Sequence, residues 1–376
     1  MLPTRRTLLS LLSALPTIDS AHAQLGRSQA EPNQHVTSAK DFGAVGDGSA
    51  DDTSALQAAL DSSFGNRTSQ LRTTEYRTLF IPAGNYKITA PLILESLHGG
   101  CIFGAGRFAT KIVNVAGNGS VFATNGCQYS RFENFHISGN ENSVLFDLDW
   151  DNTGTALQSN TFANIYFQGG AYGIRIGNTG YMGSENLFQN CAFAGNTIAG
   201  ISTRCFNALQ QTIIGGNFQN CGIGVHVWKG SAPIIHGAGF QQNTWDIKVD
   251  NGANDAMSIQ GCRTESDNFA NIRYQAVNIT GCTQYASSTK LGIFLECRRG
   301  SFSIDSCITV GGRIILTSGG GEVRCSQFGR DDWVETDGDR INVSKVFIGK
   351  TLVKSGTGTP AVLERGYVAG RSFTPS

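Results

Sequence analysis

The sequence predicts an all-β chain that winds into a parallel β-helix, a solenoid built from short strands. Two observations predict this fold: a phrase that recurs along the chain, and apolar residues that alternate around it. In the phrase, an apolar residue and a spacer precede Asn or Gly, with Ser in the last copy, and then a small or apolar residue. The copies begin at Phe132, Phe162, Phe188, Ile213, Ile235, Ile259, Ile279 and Ile304. Their starts lie 30, 26, 25, 22, 24, 20 and 25 residues apart, a spacing typical of solenoids.

The alternation indicates that the repeats are extended rather than helical. Apolar residues recur at every second position in Ile174-Arg-Ile176, Val225-His-Val227, Ile247-Lys-Val249 and Ile272-Arg-Tyr274. A period of two is typical of strands. Asn and Gly tolerate the left-handed backbone that a sharp bend between two strands requires. Each repeat is too short to bury its own apolar side, so we expect the repeats to stack on one another.

The composition agrees with a solenoid and limits the function. Of 376 residues, 47 are Gly and only 15% are charged, which suits a long fold with many tight turns. The formal net charge is zero, which disfavours nucleic-acid binding. After the N-terminus no apolar stretch is long enough for a membrane span.

The first 23 residues have the pattern of a bacterial export signal. Basic residues Arg5 and Arg6 precede a short apolar stretch, and Ala21-His-Ala23 is a small-residue cleavage site before Gln24. We therefore expect a periplasmic or secreted protein whose mature chain starts at Gln24. The Arg pair favours the twin-arginine route, and the general export route remains the alternative.

Ten cysteines in an exported chain would normally suggest disulfides, but their spacing favours a different interpretation. Cys191, Cys262, Cys282 and Cys307 fall at the same inward position of their repeats. We expect them to be reduced and to pack as small apolar side chains rather than to bind metal. Among the other six cysteines, one disulfide remains an alternative.

Near the N-terminus of the predicted mature chain, two segments carry a specific resemblance. Residues 40–60 read KDFGAVGDGSADDTSALQAAL, and residues 79–88 read LFIPAGNYKI. They resemble the N-terminal part of the pectate-lyase-like superfamily, which implies a right-handed parallel β-helix. That superfamily includes polysaccharide lyases, polygalacturonase-type hydrolases, alginate epimerases and phage tailspike depolymerases. The detailed resemblance covers about residues 36–105, and the coil pattern extends it to about residue 330.

The resemblance does not imply one activity, because the chain lacks two motifs that mark subgroups. It has neither the Asp-Pro-His-Glu cluster of the alginate epimerases nor the paired Asp residues of the polygalacturonases. The tailspikes in the group imply that a homotrimer is an open alternative to a monomer.

Within this segment we predict an N-terminal capping helix. Asp51 or Asp52 can cap it, and Leu56, Ala59 and Leu60 form its apolar side. Such a helix would cover the open end of the first coil. The predicted organisation is an export signal at 1–23, a linker at 24–35, the β-helix domain at 36–350 and a tail, extended or mobile, at 351–376.

Aligning the coils predicts columns of outward side chains, because equivalent positions of stacked strands lie ~4.8 Å apart. The first column contains Asp147, Arg175, Ser202, His226, Lys248 and Arg273. The second, two residues further along each strand, contains Asp149, Gly177, Arg204, Trp228, Asp250 and Gln275.

Three basic residues on successive coils, His226, Lys248 and Arg273, are candidate catalytic groups. Arg204 and Trp228 lie beside them as candidate substrate-binding residues. Stacked like charges repel unless an anion covers them, so a uronate or sulfated sugar is the expected ligand. The alternative is a solvated basic edge without a ligand.

A second candidate site lies on the strand after Cys262. Arg263 and Glu265 point outward there, and the neighbouring coils place Gln241 and Tyr285 beside Glu265. A carboxyl group with a guanidinium and a phenol can serve as acid, charge neutraliser and base in a hydrolase or a lyase. The alternative is an exposed Arg–Glu pair of little energetic consequence.

A third group comprises Asp147, Asp149 and Asp151. Its oxygen atoms could hold Ca²⁺, or supply the two carboxyl groups of a glycosidase. The competing interpretation is that Arg175, one coil later, pairs with Asp147. We expect no cofactor to be required, with Ca²⁺ as the one candidate.

Together these features predict an exported enzyme that cleaves an acidic polysaccharide, with β-elimination as the expected reaction. Lys, Arg or Tyr would remove the proton beside a uronate carboxylate, and cations would stabilise the enediolate. A glycoside hydrolase that uses paired carboxyl groups and a noncatalytic carbohydrate-binding or cell-surface protein remain the alternatives.

Replacing both Arg5 and Arg6 with Lys is expected to block export, because the twin-arginine route depends on that pair. The measurement is the exported fraction of the protein, detected by immunoblot. Arg27→Lys, beyond the predicted cleavage site, is the control and should leave export unchanged. Export of the double variant at the normal level would contradict the twin-arginine route.

Overall fold

A computed structural model describes residues 36–65, 78–230, 233–252, 256–286, 292–317 and 320–328, together with short strands between 334 and 373. Within these residues each turn of the chain contributes strands to three long sheets, in which strands of successive turns are neighbours. Nearly all of the pairings are parallel, with exceptions among the last strands. The predicted all-β parallel solenoid is therefore confirmed. The predicted export signal and linker lie outside the described residues.

The first sheet contains the recurring phrase. Its strands are Val36–Ser38, Thr78–Ile81, Cys101–Gly104, Arg131–Glu133, Thr161–Ala163, Leu187–Gln189, Thr212–Ile214, Ile234–His236, Met257–Gln260, Val277–Thr280, Ser301–Asp305, Gly320–Arg324, Ile341–Ser344 and Arg371–Phe373.

The second sheet follows the first after a tight corner. Its strands are Asp47–Asp51, Gly84–Ile88, Thr110–Asn114, His136–Ser138, Tyr166–Gln168, Ala192–Ala194, Asn217–Gln219, Gly239–Gln241, Arg263–Glu265, Thr283–Tyr285, Ile308–Val310, Gln327–Phe328, Val346–Ile348 and Gly366–Val368.

The third sheet completes each coil. Its strands are Leu92–His98, Gly119–Gln128, Ser143–Asp149, Leu157–Gln158, Tyr172–Ile176, Ala199–Thr203, Ile223–Val227, Trp245–Val249, Asn268–Arg273, Gly292–Arg298, Gly312–Thr317 and Val334–Thr336. A separate pair consists of Thr351–Val353 and Ala361–Leu363.

The first apolar residue of every phrase lies in register with that of the next coil, as the sequence predicted. Stacked rings show how closely these side chains pack: the Phe132 and Phe162 centroids are 4.9 Å apart, and those of Phe162 and Phe188 are 5.3 Å apart. A second interior stack of Phe167, Phe193, Phe218 and Phe240 has spacings of 4.8, 4.7 and 5.1 Å. The core is thus a set of continuous columns rather than a central cluster.

The corner between the first and second sheets explains the Asn or Gly of the phrase. Asn134, Asn164 and Asn190 have φ angles of 63°, 54° and 50°, and Gly215 takes the equivalent place at 64°. Only a left-handed residue turns the chain sharply here, so Gly and Asn are favoured. Ser306 adopts the same conformation in the last copy, with a φ of 55°, and Cys325 does so at the equivalent place one coil later, with a φ of 46°.

The four predicted inward cysteines are buried directly after this corner. Cys191, Cys262, Cys282 and Cys307 are all free, and so are the other six cysteines of the chain. Burial raises the pKa of the Cys191 thiol to about 12, so the group is neutral and unreactive at physiological pH. The predicted reduced stack is confirmed, and the alternative of one disulfide among the other six is wrong.

A helix spans Thr53–Phe64 and buries Leu56, Ala59 and Leu60. Asp52 precedes it, but its carboxylate accepts hydrogen bonds from the backbone N–H groups of Val45 and Gly46, at 2.5 and 3.0 Å. Asp51 instead accepts from the Thr53 N–H at 3.0 Å. Both acidic residues therefore hold the turn that leads into the helix.

Within the predicted tail after residue 350, the structure describes four short strands. Strands Gly366–Val368 and Arg371–Phe373 return antiparallel and pair with Val346–Ile348 and Ile341–Ser344. They add a last strand to the second and first sheets. Antiparallel pairing satisfies backbone groups that a further parallel coil would otherwise bind.

One interior side chain in the C-terminal half of the solenoid is a carboxylic acid. Asp246 is fully buried, and its carboxylate accepts hydrogen bonds from Thr264 Oγ1 and, at 2.9 Å, from Asn243 Nδ2. Burial raises the pKa of Asp246 to about 7 even though these hydrogen bonds oppose the shift. The alternation pattern did not single out this residue, because Asp at a buried strand position has no apolar signature.

Thiol labelling tests the cysteine stack. The four inward cysteines should resist labelling in the native protein and react after denaturation without a reductant. Cys282→Ser places a hydroxyl in the stack and should lower the free energy of unfolding by about 1–3 kcal/mol. Cys325→Ser is the matched control, because that exposed position adopts the conformation that Ser306 adopts one coil earlier. A disulfide among the four would contradict the coil alignment.

The buried carboxyl group of Asp246 predicts a pH-dependent stability. Its folded pKa of about 7 lies above the ordinary value of 3.8, so the folded state holds the proton more tightly between these pH values. The free energy of unfolding should therefore fall as pH rises from about 4 to 7, by about 2–4 kcal/mol from this group. Urea unfolding of the wild type and Asp246→Asn across this range measures it. In Asp246→Asn the free energy of unfolding should fall less steeply with pH than in the wild type. An equal dependence on pH in the two proteins would contradict the raised pKa of Asp246.

Candidate functional site

The outer face of the third sheet carries the predicted first column over most of its length. The strands pair in register from Asp147 to Arg175, Ser202, His226 and Lys248. The residues on either side of each position are buried, so the column faces outward, although Ser202 itself is covered. The predicted neighbours His226 and Lys248 do lie on adjacent strands.

Arg273 does not follow Lys248, which corrects the predicted alignment. The residue in register with Lys248 is Asn271, because Ala270 and Ile272 are the inward residues of that strand. Tyr274, expected to point inward, is 46% exposed and has a left-handed φ of 59°. The error came from treating the tyrosine as the second apolar residue of the strand, whereas it begins the next corner.

Arg273 instead joins the second outward column, directly after Asp250. Ile272 pairs with Val249, so the residues that follow them occupy equivalent places, and Arg273 itself pairs with Arg298. The observed second column is Asp149, Gly177, Arg204, Trp228, Asp250, Arg273 and Arg298, inferred from the register of the strands. Gln275, predicted in this column, lies beyond the strand.

The two columns meet in a hydrogen-bonded group of three residues. His226 Nε2 lies 2.8 Å from Asp250 Oδ2, and Lys248 Nζ lies 2.9 Å from Asp250 Oδ1. Burial lowers the pKa of His226 despite its bond to Asp250, so the ring is neutral at neutral pH. Burial alone would raise the pKa of Asp250, but its bonds to His226 and Lys248 lower it below its usual value. Asp250 therefore stays ionised between the two.

The neutral His226 ring donates its Nε2 hydrogen to Asp250, which leaves Nδ1 as the unprotonated nitrogen. That atom is buried and has no hydrogen-bond partner among the described residues. His226 therefore orients Asp250 and, through it, Lys248. Of the three predicted basic catalytic residues, Lys248 is the one this group holds toward the outer face.

Arginine and aromatic side chains extend this group along the sheet. The Arg204 guanidinium lies 4.4 Å from the Trp228 ring centroid, and its Nη1 donates to the Tyr172 hydroxyl at 2.9 Å. One face of Trp228 is thus covered by a cation, so a sugar cannot stack on that face. Among the described residues neither Arg204 nor Arg273 has a carboxylate partner. Two unpaired guanidinium groups give this face its positive potential.

Glu296 is a site residue that the alignment of the coils did not include. It continues the first column after Asn271 and is buried. Its carboxylate accepts from Asn271 Nδ2 at 2.9 Å and from Arg298 Nε at 2.7 Å. The apolar residues on either side of it, Leu295 and Cys297, would mark Glu296 as an outward position. The column could not be extended to it because the preceding strand was aligned at Arg273 instead of Asn271.

Arg263 and Glu265 lie on the second sheet, with Cys262 and Thr264 inward as predicted. Arg263 Nη2 is 2.6 Å from Glu265 Oε1, with the two side chains 68% and 42% exposed. Gln241 Nε2 donates to Glu265 at 3.4 Å, and the Arg263 guanidinium lies 5.5 Å from the Tyr285 ring. The predicted neighbours do meet, but as an exposed, self-neutralised ion pair.

The three aspartates of the predicted calcium group each bind protein donors. Asp147 accepts a bidentate pair of bonds from Arg175, at 2.9 and 2.6 Å, as the competing interpretation expected. Asp149 accepts from the Thr179 N–H and hydroxyl, and Asp151 from the Thr153 N–H and hydroxyl. In the part of the chain that the structure describes, no three His, Cys, Asp or Glu residues cluster so as to hold a metal ion. Calcium binding here stays a prediction without a preformed site.

Comparison with known proteins places this fold. Residues 36–153 match the family model described as rhamnogalacturonase A/epimerase, pectate lyase-like. Over 129 residues the chain is 33% identical to the mannuronan C5-epimerase AlgE5 of Azotobacter vinelandii, covering 30% of this chain and 12% of the epimerase. The chain therefore spans only a small part of that relative's length.

Solved structures with the same fold cover most of the chain. The N-terminal fragment of bacteriophage Phi29 gene product 12 aligns with a TM-score of 0.57 and 14% identity, over 83% of this chain and 66% of the fragment. The catalytic unit of the GH87 α-1,3-glucanase from Streptomyces thermodiastaticus aligns with a TM-score of 0.54 and 12% identity, over 80% of this chain and 65% of that unit. At such identities the likeness shows the fold alone.

The predicted resemblance to the pectate-lyase-like superfamily is thus confirmed. Among the described residues, no helix has both the length and the apolar character that crossing a membrane requires.

Proposed function

Starting from a pectate-lyase-like parallel β-helix, we propose that the protein binds an acidic polysaccharide on the outer face of the third sheet and cleaves it by β-elimination. One observation carries the proposal: Arg204 and Arg273, both without a carboxylate partner, lie in the same column on either side of Asp250, which holds Lys248. Unpaired guanidinium groups beside a positioned amine suit a uronate carboxylate and the reaction next to it.

In this proposal Arg273, the neighbour of Asp250 in the column, binds the carboxylate of the uronate that reacts, and Arg204, three strands from Arg273, binds a second uronate of the same chain. Lys248, as the free amine, takes the proton from the carbon beside the reacting carboxylate, and Arg273 stabilises the resulting enediolate. The electron pair then forms a carbon–carbon double bond as the glycosidic carbon–oxygen bond breaks, and the leaving oxygen takes up a proton from solvent. His226 and Asp250 act as positioning residues for the amine.

A hydrolase is the second candidate, and Glu296 is the observation that favours it. Asp250 and Glu296 place two carboxylates on one outer face, which a glycosidase requires. Asp250 and Glu296 are therefore the candidate pair for hydrolysis, in place of Glu265 and the Asp147–Asp151 group predicted from the sequence. Ultraviolet absorbance by an unsaturated uronate product distinguishes elimination, whereas reducing-end release without that absorbance indicates hydrolysis. Retention of substrate without cleavage would indicate a binding protein.

We also propose that helix Thr53–Phe64 caps the solenoid. Its buried residues pack toward strand Val36–Ser38, the terminal strand of the first sheet. Covering this end would protect the unpaired backbone groups of that strand from pairing with other chains. A homotrimer and export to the periplasm or beyond remain predictions.

Arg204→Ala and Lys248→Ala are expected to weaken binding of an acidic polysaccharide such as polygalacturonate, by about tenfold or more each. The loss should be larger at low salt, where charge attraction is least screened. Binding is measured by isothermal titration at two salt concentrations, and turnover by product absorbance. Trp228→Ala should weaken binding by removing the support on which Arg204 stacks.

Arg263→Ala is the matched control, because Arg263 also stacks on an aromatic ring but lies on the second sheet. It should leave binding and turnover unchanged. Full activity of the Arg204 and Lys248 variants, with loss in the Arg263 or Glu265→Ala variants, would move the site to the second sheet and overturn the proposal.

A further inference from the structure

The outer face of the second sheet is uncharged over four consecutive coils. Its outward positions are Tyr166, Gln168, Ala192, Ala194, Asn217, Gln219, Gly239 and Gln241. The stacked rings of Phe167, Phe193, Phe218 and Phe240 lie directly beneath them and fix the spacing of these strands. This face therefore presents a regular, rigid row of amides and small residues.

Aromatic rings stand at the N-terminal end of this row. Phe108 is 75% exposed and makes an edge contact with Tyr166, at 5.7 Å between ring centroids. Tyr166 in turn lies 4.7 Å from His136, which is 6% exposed. The adjacent Arg107 donates to the Asn190 carbonyl and so anchors the loop that holds Phe108. A fixed, solvent-exposed phenyl ring has no role in the core.

The other end of the row carries Tyr285, which is 48% exposed. Arg263 and Glu265 lie between it and the amides, and they neutralise each other at 2.6 Å. Gln241, the last amide, donates to Glu265. Five strand spacings of ~4.8 Å separate the strand of Tyr166 from that of Tyr285, so the row with its two aromatic ends is roughly 24 Å long.

We propose that this face binds a neutral polysaccharide chain, at a site separate from the charged face of the third sheet. Amide side chains both donate and accept hydrogen bonds, which matches the hydroxyl groups of a sugar. The small residues Ala192, Ala194 and Gly239 leave room for the chain between the amides. Phe108 and the face of Tyr285 that the Arg263 guanidinium leaves uncovered offer apolar surfaces at the two ends for the faces of sugar rings. The row itself carries no unpaired charge, and the Arg107 guanidinium beside it is held by the Asn190 carbonyl, so the face gives little advantage to an anionic ligand.

The test is affinity electrophoresis of the full chain in gels that contain glucomannan, xyloglucan or dextran. We expect retention in at least one of these gels, with little change between low and high salt because the contacts are not ionic. Phe108→Ala should weaken retention about tenfold, and Gln219→Ala should weaken it by a smaller factor. Thermal unfolding of each variant checks that the fold is kept, since both side chains lie outside the core.

Phe206→Ala is the matched control, because Phe206 is 68% exposed but lies outside the second sheet. It should leave retention unchanged, and Phe108→Ala should leave cleavage of polygalacturonate unchanged. No retention in any of the three gels, or an equal loss in the Phe206 variant, would overturn this proposal. Neither outcome bears on the third-sheet site, which is measured with an acidic polymer.

Discussion

The structure depends on one constraint: each strand must lie in register with the strand one coil before it. Parallel backbone hydrogen bonds and like-on-like side-chain stacking enforce the same register, as the Phe132–Phe162–Phe188 column shows. Because a strand's side chains alternate, a slip of one residue would turn every apolar side chain outward. The corners keep the register by bending each coil at one left-handed residue, such as Asn134 or Asn164.

The same constraint builds the candidate site from residues far apart in sequence. His226 and Asp250 are 24 residues apart, yet they lie on adjacent coils and form a hydrogen bond. Arg175 and Asp147 are joined in the same way across 28 residues. The position of a residue on one coil therefore determines which side chains of the next coil it can contact. The residues of a site on this scaffold come from equivalent positions of successive coils.

The fold could be predicted because its signals are local and repeated. The phrase, its alternation and the inward cysteines each recur. An irregular copy therefore does not change the predicted fold, because the other copies still show the pattern. The site could be predicted only as far as the repeats kept their length. At Arg273 the alignment slipped by two residues because Tyr274 resembles an inward residue but begins a corner. The same slip left Asn271 and Glu296 out of the predicted column.

Asp246 was not predicted for another reason. Its buried carboxyl group is stabilised by hydrogen bonds from Thr264 and Asn243, and these contacts become apparent only in the three-dimensional structure.

The change in one interior column after Phe240 has a consequence for how the charged face is supported. In register, that column continues as Thr264, Gln284 and Thr309, so ring stacking gives way within it to hydrogen bonds such as the one from Thr264 to Asp246. The aromatic contacts move to the third sheet instead: the ring centroids of Phe240 and Phe269 are 6.1 Å apart, and Phe269 stacks on Phe294 at 5.4 Å. Phe269 and Phe294 lie on the strands that carry Asn271 and Glu296. Apolar packing therefore runs without a break beneath the charged face, from the coil of His226 to that of Glu296.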